Sequence, residues 1–178
     1  EDLRRHIEEG LTAEILLLSG GVSAGKLDLV PSELERACVD QVFHKVRVKP
    51  GKPVWFGVLR RGGNSCLVFG LPGNPVSSMV CFELFVRTAI RCLTGQFPAI
   101  PQSLTARLTH SHFHKDDRET YFPAAVEWTV DGPTVRLMNW HGSSDLQSTV
   151  DADAMVVFPP EPKDYSVNDR VEVVLWNT

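Results

Sequence analysis

The feature that most constrains the fold is a change in hydrophobic pattern at the proline-containing segment 96–101. Before this segment, short apolar runs alternate with amphipathic stretches of helical length, whereas only strand-length runs follow it. Alternating strands and helices are typical of an α/β domain, and a series of short strands is typical of a small barrel or sandwich. The sequence therefore predicts an α/β domain over residues 1–97 and an all-β domain over residues 101–178.

Local signals place the elements of both domains. A buried strand over 14–18 ends at the turn Gly20-Gly21, and a short helix begins near Pro31, because proline suits the first helical turn. Further strands are predicted at 42–48, 54–59, 66–69, 104–108, 121–130, 135–138, 154–158 and 170–176, with a hairpin turn at 61–64.

The clearest helix begins at Asn74-Pro75, where asparagine suits the N-cap and proline the first helical position. The pattern extends it to Leu93 and ends it at Gly95. Helical spacing predicts one buried face, formed by Met79, Phe82, Val86, Ile90 and Leu93. It predicts a polar stripe on the opposite face, formed by Glu83, Arg87 and Arg91.

Composition narrows the class of protein. The formal net charge of −4 argues against a nucleic-acid binder, and the longest apolar run, near 76–86, is too short to span a membrane. The charged first residues do not resemble a signal peptide, and the missing initiator methionine predicts a fragment. The cysteines form no CxxC pair, which predicts buried, reduced thiols in a cytoplasmic protein: Cys38, Cys66, Cys81 and Cys92.

A basic block lies between Asp40 and Glu83, where the sequence has no acidic residue. Such a block favours an anionic ligand if it faces a cleft, and a solvated basic surface is the equally compatible alternative. Lys45 and Lys49 would share a face of a regular strand, and Lys52 follows across a Pro-Gly turn. These three ammonium groups suit a phosphate or oxyanion, although lysines also protect edge strands from aggregation.

The glycine turn at 20–26 fits GxxxxGK, but Leu27 replaces the hydroxyl residue of a P-loop and Pro31 falls where its helix would continue. The turn could still present N–H groups to a phosphate, or be a plain tight turn. The helix start at Gly73–Ser77 is a second place for an anion. Asp28, a lone carboxylate here, could hold Mg²⁺ or cap a loop.

Three histidines alternate along the first part of the β domain: His110, His112 and His114. Alternation places them on one side of a regular strand, where they could bind a transition metal. No cysteine or carboxylate completes a ligand set at a recognisable spacing, so an exposed histidine face is favoured.

Several motifs in order resemble the molybdopterin molybdotransferases, the MoeA family to which gephyrin E domains are related. They are Ser19-Gly20-Gly21-Val22-Ser23 with Gly25 and Asp28; Phe43-His44-Lys45; Lys49-Pro50-Gly51-Lys52-Pro53 with Phe56-Gly57; and Gly70-Leu71-Pro72-Gly73-Asn74-Pro75-Val76-Ser77. The resemblance spans about 16–95 and continues more weakly at 118–121, 141–143 and 156–159.

The resemblance implies a partial three-layer, MogA-like molybdopterin-binding domain followed by a small β-barrel, in a homodimer. Family members use molybdate to replace the adenylyl group of adenylylated molybdopterin, with a divalent metal such as Mg²⁺, and release AMP. A molybdopterin-adenylylating protein is the implied partner. A non-catalytic pterin-binding or scaffold homologue is the alternative.

Carried onto this chain, the resemblance assigns roles to residues in both domains. Asp28 would serve metal and catalysis, Lys45 and Lys49 would be catalytic, and Lys52 would hold phosphate or molybdate. Substrate binding is assigned to Ser19, Gly20, Gly21, Val22, Ser23, Gly25, Pro72, Gly73, Asn74, Pro75 and Ser143.

Two positions depart from the family pattern: Lys26 stands where relatives usually have an acid, and Pro123 where many have arginine. The family's N-terminal domains, and the first half of its α/β domain, have no counterpart in these residues. We therefore expect the 178-residue chain to be inactive alone.

Overall fold

The computed structural model describes residues 2–22 and 28–176. Its helices are α1 Asp2–Gly10, α2 Val30–Arg36, α3 Pro75–Cys81 and α4 Arg87–Leu93, with a π-helical turn Phe82–Val86 between the last two and a 3₁₀ turn Gln147–Thr149. Its strands are β1 Ile15–Ser19, β2 Asp40–His44, β3 Val48–Lys49, β4 Trp55–Arg61, β5 Asn64–Leu71, β6 Ser103–Leu108, β7 His112–His114, β8 Glu119–Thr129, β9 Gly132–Leu137, β10 Ala154–Phe158, β11 Lys163–Tyr165 and β12 Arg170–Leu175.

The first unit has three layers around a four-stranded sheet of order β1-β5-β4-β2, in which β1 and β5 are parallel. Successive side chains of β5 point to opposite faces of the sheet, so each face packs against its own layer of helices. Cys66 and Val68 pack with Ile7 of α1 and Leu34 of α2, whereas Phe69 and Leu71 pack on the long helix 75–93. The predicted α/β class of this unit is confirmed.

The second unit is a closed five-stranded barrel in which β8, β9, β6, β12 and β10 pair in turn and β10 returns to β8. Alternate residues of β10 point inward, so that Val156 and Phe158 are fully buried in the barrel core. The predicted all-β barrel is confirmed. Strand β3, which precedes the link 96–101, pairs in parallel with β8 and so joins the barrel sheet.

The long helix 75–93 packs on both units, so its buried residues differ from those predicted for a single helical face. Val86 packs on the sheet of the first unit, whereas Val80 packs against Met155 and Trp176 of the second. The prediction that Ile90 and Leu93 are buried is wrong; they are 38% and 54% exposed. The π-helical turn inserts a residue and shifts the helical phase, so that the buried residue of α4 is Arg91, which donates to the Ile100 carbonyl (3.1 Å). The predicted polar stripe therefore holds for Glu83 and Arg87, and not for Arg91.

The prediction of one continuous strand over 42–48 is also wrong, because only residues 42–44 and residue 48 are in strands. Strand β2 ends at His44, Lys45 has a left-handed backbone (φ 67°), and β3 begins at Val48 in the other sheet. Lys45 and Lys49 consequently do not share the face of one strand.

Cysteines and histidines also differ from expectation. Cys66 and Cys81 are buried, and burial raises the pKa of the Cys81 thiol to about 12. Cys38 and Cys92 are exposed, since Cys38 lies in the turn after α2 with φ 60° and Cys92 lies beyond the phase shift. The exposed histidine face is wrong as well, because His114 is buried and both His112 and His114 stack on Phe158.

No helix of the described residues is both long enough and apolar enough to cross a membrane.

Candidate functional site

A cleft of about 630 Å³ lies between the two units. It is lined by the loop after β1, the turn after β3, the start of α3 and two segments of the barrel unit. Within the described lining, the charged side chains are those of Asp28, Lys49, Lys52 and Arg118, so cations exceed carboxylates. The cleft is therefore suited to an anionic ligand.

The loop after β1 forms the glycine wall of the cleft. Gly20 and Gly21 both have positive φ (87° and 69°), and the Gly20 N–H donates to the Leu71 carbonyl (2.9 Å). A Cβ on Gly73 would lie 3.6 Å from the Gly20 Cα, so this loop approaches the start of α3 closely. His44 Nε2 donates to the Val22 carbonyl (2.9 Å) and fixes the loop against β2.

The end of β3 and the turn that follows it carry the two lysines of the cleft, Lys49 and Lys52. Val46 N–H donates to the Lys52 carbonyl (2.9 Å) and Val54 N–H to the Gly51 carbonyl (3.1 Å), which closes the turn. Gly51 has φ +117°, a conformation that glycine adopts readily and L side chains rarely do. Lys49 and Lys52 are thus presented from a backbone that is held by hydrogen bonds.

The start of α3 is joined directly to the barrel unit. Asn74 occupies the N-cap position but makes no side-chain cap bond; its Nδ2 donates to Ser143 Oγ (2.8 Å) instead. The Val76 N–H donates to the Ser143 carbonyl (3.2 Å). Ser143 therefore lines the cleft and holds the two units together at that side.

Behind the barrel side of the cleft, the Asp116 carboxylate contacts two cationic side chains, those of Lys49 and Arg118. Its Oδ2 accepts from Lys49 Nζ (2.7 Å) and its Oδ1 from Arg118 Nε (3.2 Å). Burial opposes ionisation, but Lys49 and Arg118 outweigh it and hold the pKa of the Asp116 carboxyl below its ordinary value. Arg47 Nη2 adds a bond to the Asp117 carbonyl (2.9 Å).

The structure brings most of the sequence-predicted site residues to this cleft. Those that line it are Gly20, Gly21, Val22, Asp28, Lys49, Lys52, Pro72, Gly73, Asn74 and Ser143. Ser19, Lys45 and Pro75 are not among the lining residues. Ser23, Gly25 and Lys26 lie outside the described residues. The chemical role of each residue stays a prediction.

Sequence reasoning missed three residues that shape the cleft: Asp116, Trp140 and His44. Nothing local in the sequence shows that Asp116 meets Lys49, 67 positions earlier. Trp140 lines the cleft directly before the His141-Gly142-Ser143 segment, whose resemblance was the available signal. His44 belongs to the motif Phe43-His44-Lys45, but its bond to the Val22 carbonyl appears only in the fold.

No group of three or more potential metal ligands occurs within residues 2–22 and 28–176. Asp28 is the sole carboxylate among the described lining residues. The side chains within the described residues therefore do not by themselves supply all the ligands of a metal ion. A magnesium ion bound through one or two carboxylates draws its other ligands from water and substrate phosphates.

Family models match both units of the chain. Residues 1–92 match the family described as "Probable molybdopterin binding domain", and residues 105–176 match "MoeA C-terminal region (domain IV)". The chain belongs to the MoeA family. The motifs that carry the resemblance fall within the two matched regions of the sequence.

Curated relatives agree with the family assignment. The chain is 31% identical over 164 residues to the molybdopterin molybdenumtransferase of Bacillus subtilis (strain 168), covering 91% of this chain and 37% of that protein. It is 26% identical over 162 residues to the enzyme of the same name from Staphylococcus aureus (strain COL), covering 91% and 38%. This MoeA-family chain therefore spans less than two fifths of the length of these relatives.

Solved structures show the same fold. The molybdopterin biosynthesis MoeA protein from Pyrococcus horikosii aligns with a TM-score of 0.77 and 28% identity over 100% of this chain and 41% of that one. A molybdenum cofactor biosynthesis protein from Pyrococcus furiosus aligns with a TM-score of 0.62 and 26% identity over 84% and 54%.

Proposed function

We propose that this chain supplies the substrate cleft of a molybdopterin molybdenumtransferase, which inserts molybdate into adenylylated molybdopterin and releases AMP. The observation that carries the proposal is the cationic cleft between the two units, which Lys49, Lys52 and Arg118 line together with the glycine loop. Molybdate is a dianion and the second substrate contains a pyrophosphate link. Ammonium, guanidinium and backbone N–H groups are the donors that such oxyanions need.

Each wall of the cleft has a role in this proposal. The N–H groups of Gly21 and Val22 and the positive end of the long helix at Gly73 would hold phosphate oxygens. Lys49 and Lys52 would bind molybdate and stabilise the negative charge that develops when AMP leaves. Ser143 would donate its hydroxyl from the barrel unit to the same substrate. Lys45 would act only if the turn around it moved, because it does not line the cleft.

Magnesium is the divalent metal of the proposed reaction, and Asp28 is its candidate protein ligand in the described part of the cleft. A bound magnesium ion would neutralise phosphate charge there. Catalysis by the homodimer of the complete protein, and delivery of substrate by a molybdopterin-adenylylating protein, belong to the same proposal.

The test is complementation of a bacterium that lacks its molybdotransferase, with nitrate reductase activity as the readout. We expect the complete protein that contains this chain to restore activity and the Asp28→Ala variant to fail. Asp151→Ala, which removes an exposed carboxylate outside the cleft, is the matched control and should restore activity fully.

A scaffold homologue that binds pterin without turnover is the second candidate. The two departures from the family pattern support it: Lys26 stands where the resemblance implies an acid, and Pro123, which is buried in β8, stands where it implies arginine. Failure of the soluble, complete wild-type protein to restore nitrate reductase would favour this candidate. Rescue by Asp28→Ala at the wild-type level would remove Asp28 from the proposed mechanism.

A further inference from the structure

The Asp116 carboxylate touches both cations that line the barrel side of the cleft, yet it does not line the cleft itself. Its side chain is 15% exposed, against 37% for Lys49 and 30% for Arg118. Asp116 therefore lies behind the two cations and leaves the space in front of them to a ligand. Strand pairing fixes this arrangement, since β3 and β8 place Lys49 opposite Thr120, four residues beyond Asp116.

The contacts of Asp116 leave donors on both cations. An ammonium has three N–H donors, and Lys49 uses one toward Asp116 Oδ2. Arg118 uses its Nε–H toward Asp116 Oδ1, and its backbone N–H also donates there (3.2 Å). The two terminal nitrogens of the guanidinium carry the remaining N–H groups, in the fork that matches an oxyanion.

We propose that Asp116 is a positioning residue that holds the side chains of Lys49 and Arg118 in a fixed arrangement as one oxyanion-binding pair. The inference rests on the proposed function for the identity of the anion. It adds a carboxylate behind the cleft lining that the family resemblance does not assign to the site. Holding two flexible side chains in place before binding lowers the entropic cost of binding.

A purely electrostatic role of Asp116 is the alternative to a positioning role. If Asp116 only neutralised the cleft, its removal would strengthen binding of a dianion, because a nearby negative charge would be gone. If Asp116 positions the cations, its removal weakens binding despite that favourable change. The two accounts therefore predict opposite signs for the same substitution.

The experiment measures binding of sodium molybdate to the wild-type chain and to variants by isothermal titration calorimetry. Asp116→Asn keeps the shape of the side chain and removes its charge, and we expect Kd to rise about tenfold, or about 1.4 kcal/mol. Asp117→Asn is the matched control: this side chain is 89% exposed and lies 3.9 Å from Arg118 Nε. We expect its Kd to stay within about twofold of wild type, and Asp116→Glu to recover part of the loss.

A second measurement tests directly whether Asp116 forms a hydrogen bond with Arg118. The Arg118 Nε–H resonance should be protected from solvent exchange in the wild type and in Asp117→Asn, and should lose protection in Asp116→Ala, which removes the acceptor oxygens. An unchanged or lower Kd for Asp116→Asn, in a variant with the wild-type circular dichroism spectrum, would overturn the positioning role. Absence of molybdate binding by the wild-type chain would count against the proposed function, while the resonance would still decide whether Asp116 fixes Arg118.

Discussion

Substitution of Gly51 by alanine tests how tightly the lysine-bearing turn is built. Gly51 is buried, with φ +117°, and an added Cβ would lie 2.6 Å from the Cys81 Sγ and 3.5 Å from the Val48 Cγ2. Cys81 is itself fully buried in the long helix and cannot retreat toward solvent. The turn and the helix must therefore separate, or the backbone must change its conformation.

Two costs add at this position. Placing a non-glycine residue in a sparsely populated backbone region costs about 1–3 kcal/mol. Forcing a methyl group into a packed core costs about 1–3 kcal/mol more. We therefore expect Gly51→Ala to lower the free energy of unfolding by about 2–6 kcal/mol.

Guanidinium denaturation of the chain measures this loss, and Gly63→Ala provides the matched control. Gly63 also has positive φ (+86°), but no atom lies within 4 Å of its added Cβ, so only the backbone cost applies. We expect about 1–2 kcal/mol for Gly63→Ala. A loss for Gly51→Ala no larger than that for Gly63→Ala would refute the proposed clash with Cys81.

Two further predictions concern the junction between the units and the barrel. Asn74 Nδ2 donates to Ser143 Oγ (2.8 Å). We therefore expect Asn74→Ala and Ser143→Ala to show a coupling of about 0.5–1.5 kcal/mol in a double-mutant cycle of unfolding free energies. Additive effects of the two substitutions would show that this bond does not stabilise the fold. Burial lowers the pKa of His112 and His114, and at His114 it outweighs the opposing effect of the Asp116 carboxylate, so the unfolded chain binds more protons than the folded one as pH falls below about 6.5. Unfolding free energy should therefore fall between pH 7 and 5 and should fall less steeply in His114→Leu; a flat profile for the wild type would contradict the burial argument.

The sequence predicted the elements whose signals are local. The N-cap at Asn74 and the first-turn proline locate the start of the long helix, and alternation locates the barrel strands. Spacing also indicated that Lys49 and Lys52 follow one another around a turn, and both line the cleft. Here the physical cause, backbone preference or hydrophobic period, is contained in a few neighbouring residues.

Errors occurred where a non-local contact decides the structure. The π-helical turn lets the long helix pack on two units, and this shifts Ile90 to the surface although an ideal period would bury it. Lys45 leaves the strand because β2 and β3 belong to different sheets. The Lys49–Asp116 pair joins residues that only the β3–β8 pairing brings together. Such contacts carry no local period, so the sequence alone did not predict them.

In the proposed function, molybdenum insertion takes place in the cationic cleft between the two units. Release of AMP from adenylylated molybdopterin, measured with and without molybdate in the complete protein that contains this chain, tests it most directly. We expect molybdate-dependent release by the wild type and its loss in Lys49→Ala, since Lys49 lines the cleft. Full molybdate-dependent release by a folded Lys49→Ala variant would contradict the claim.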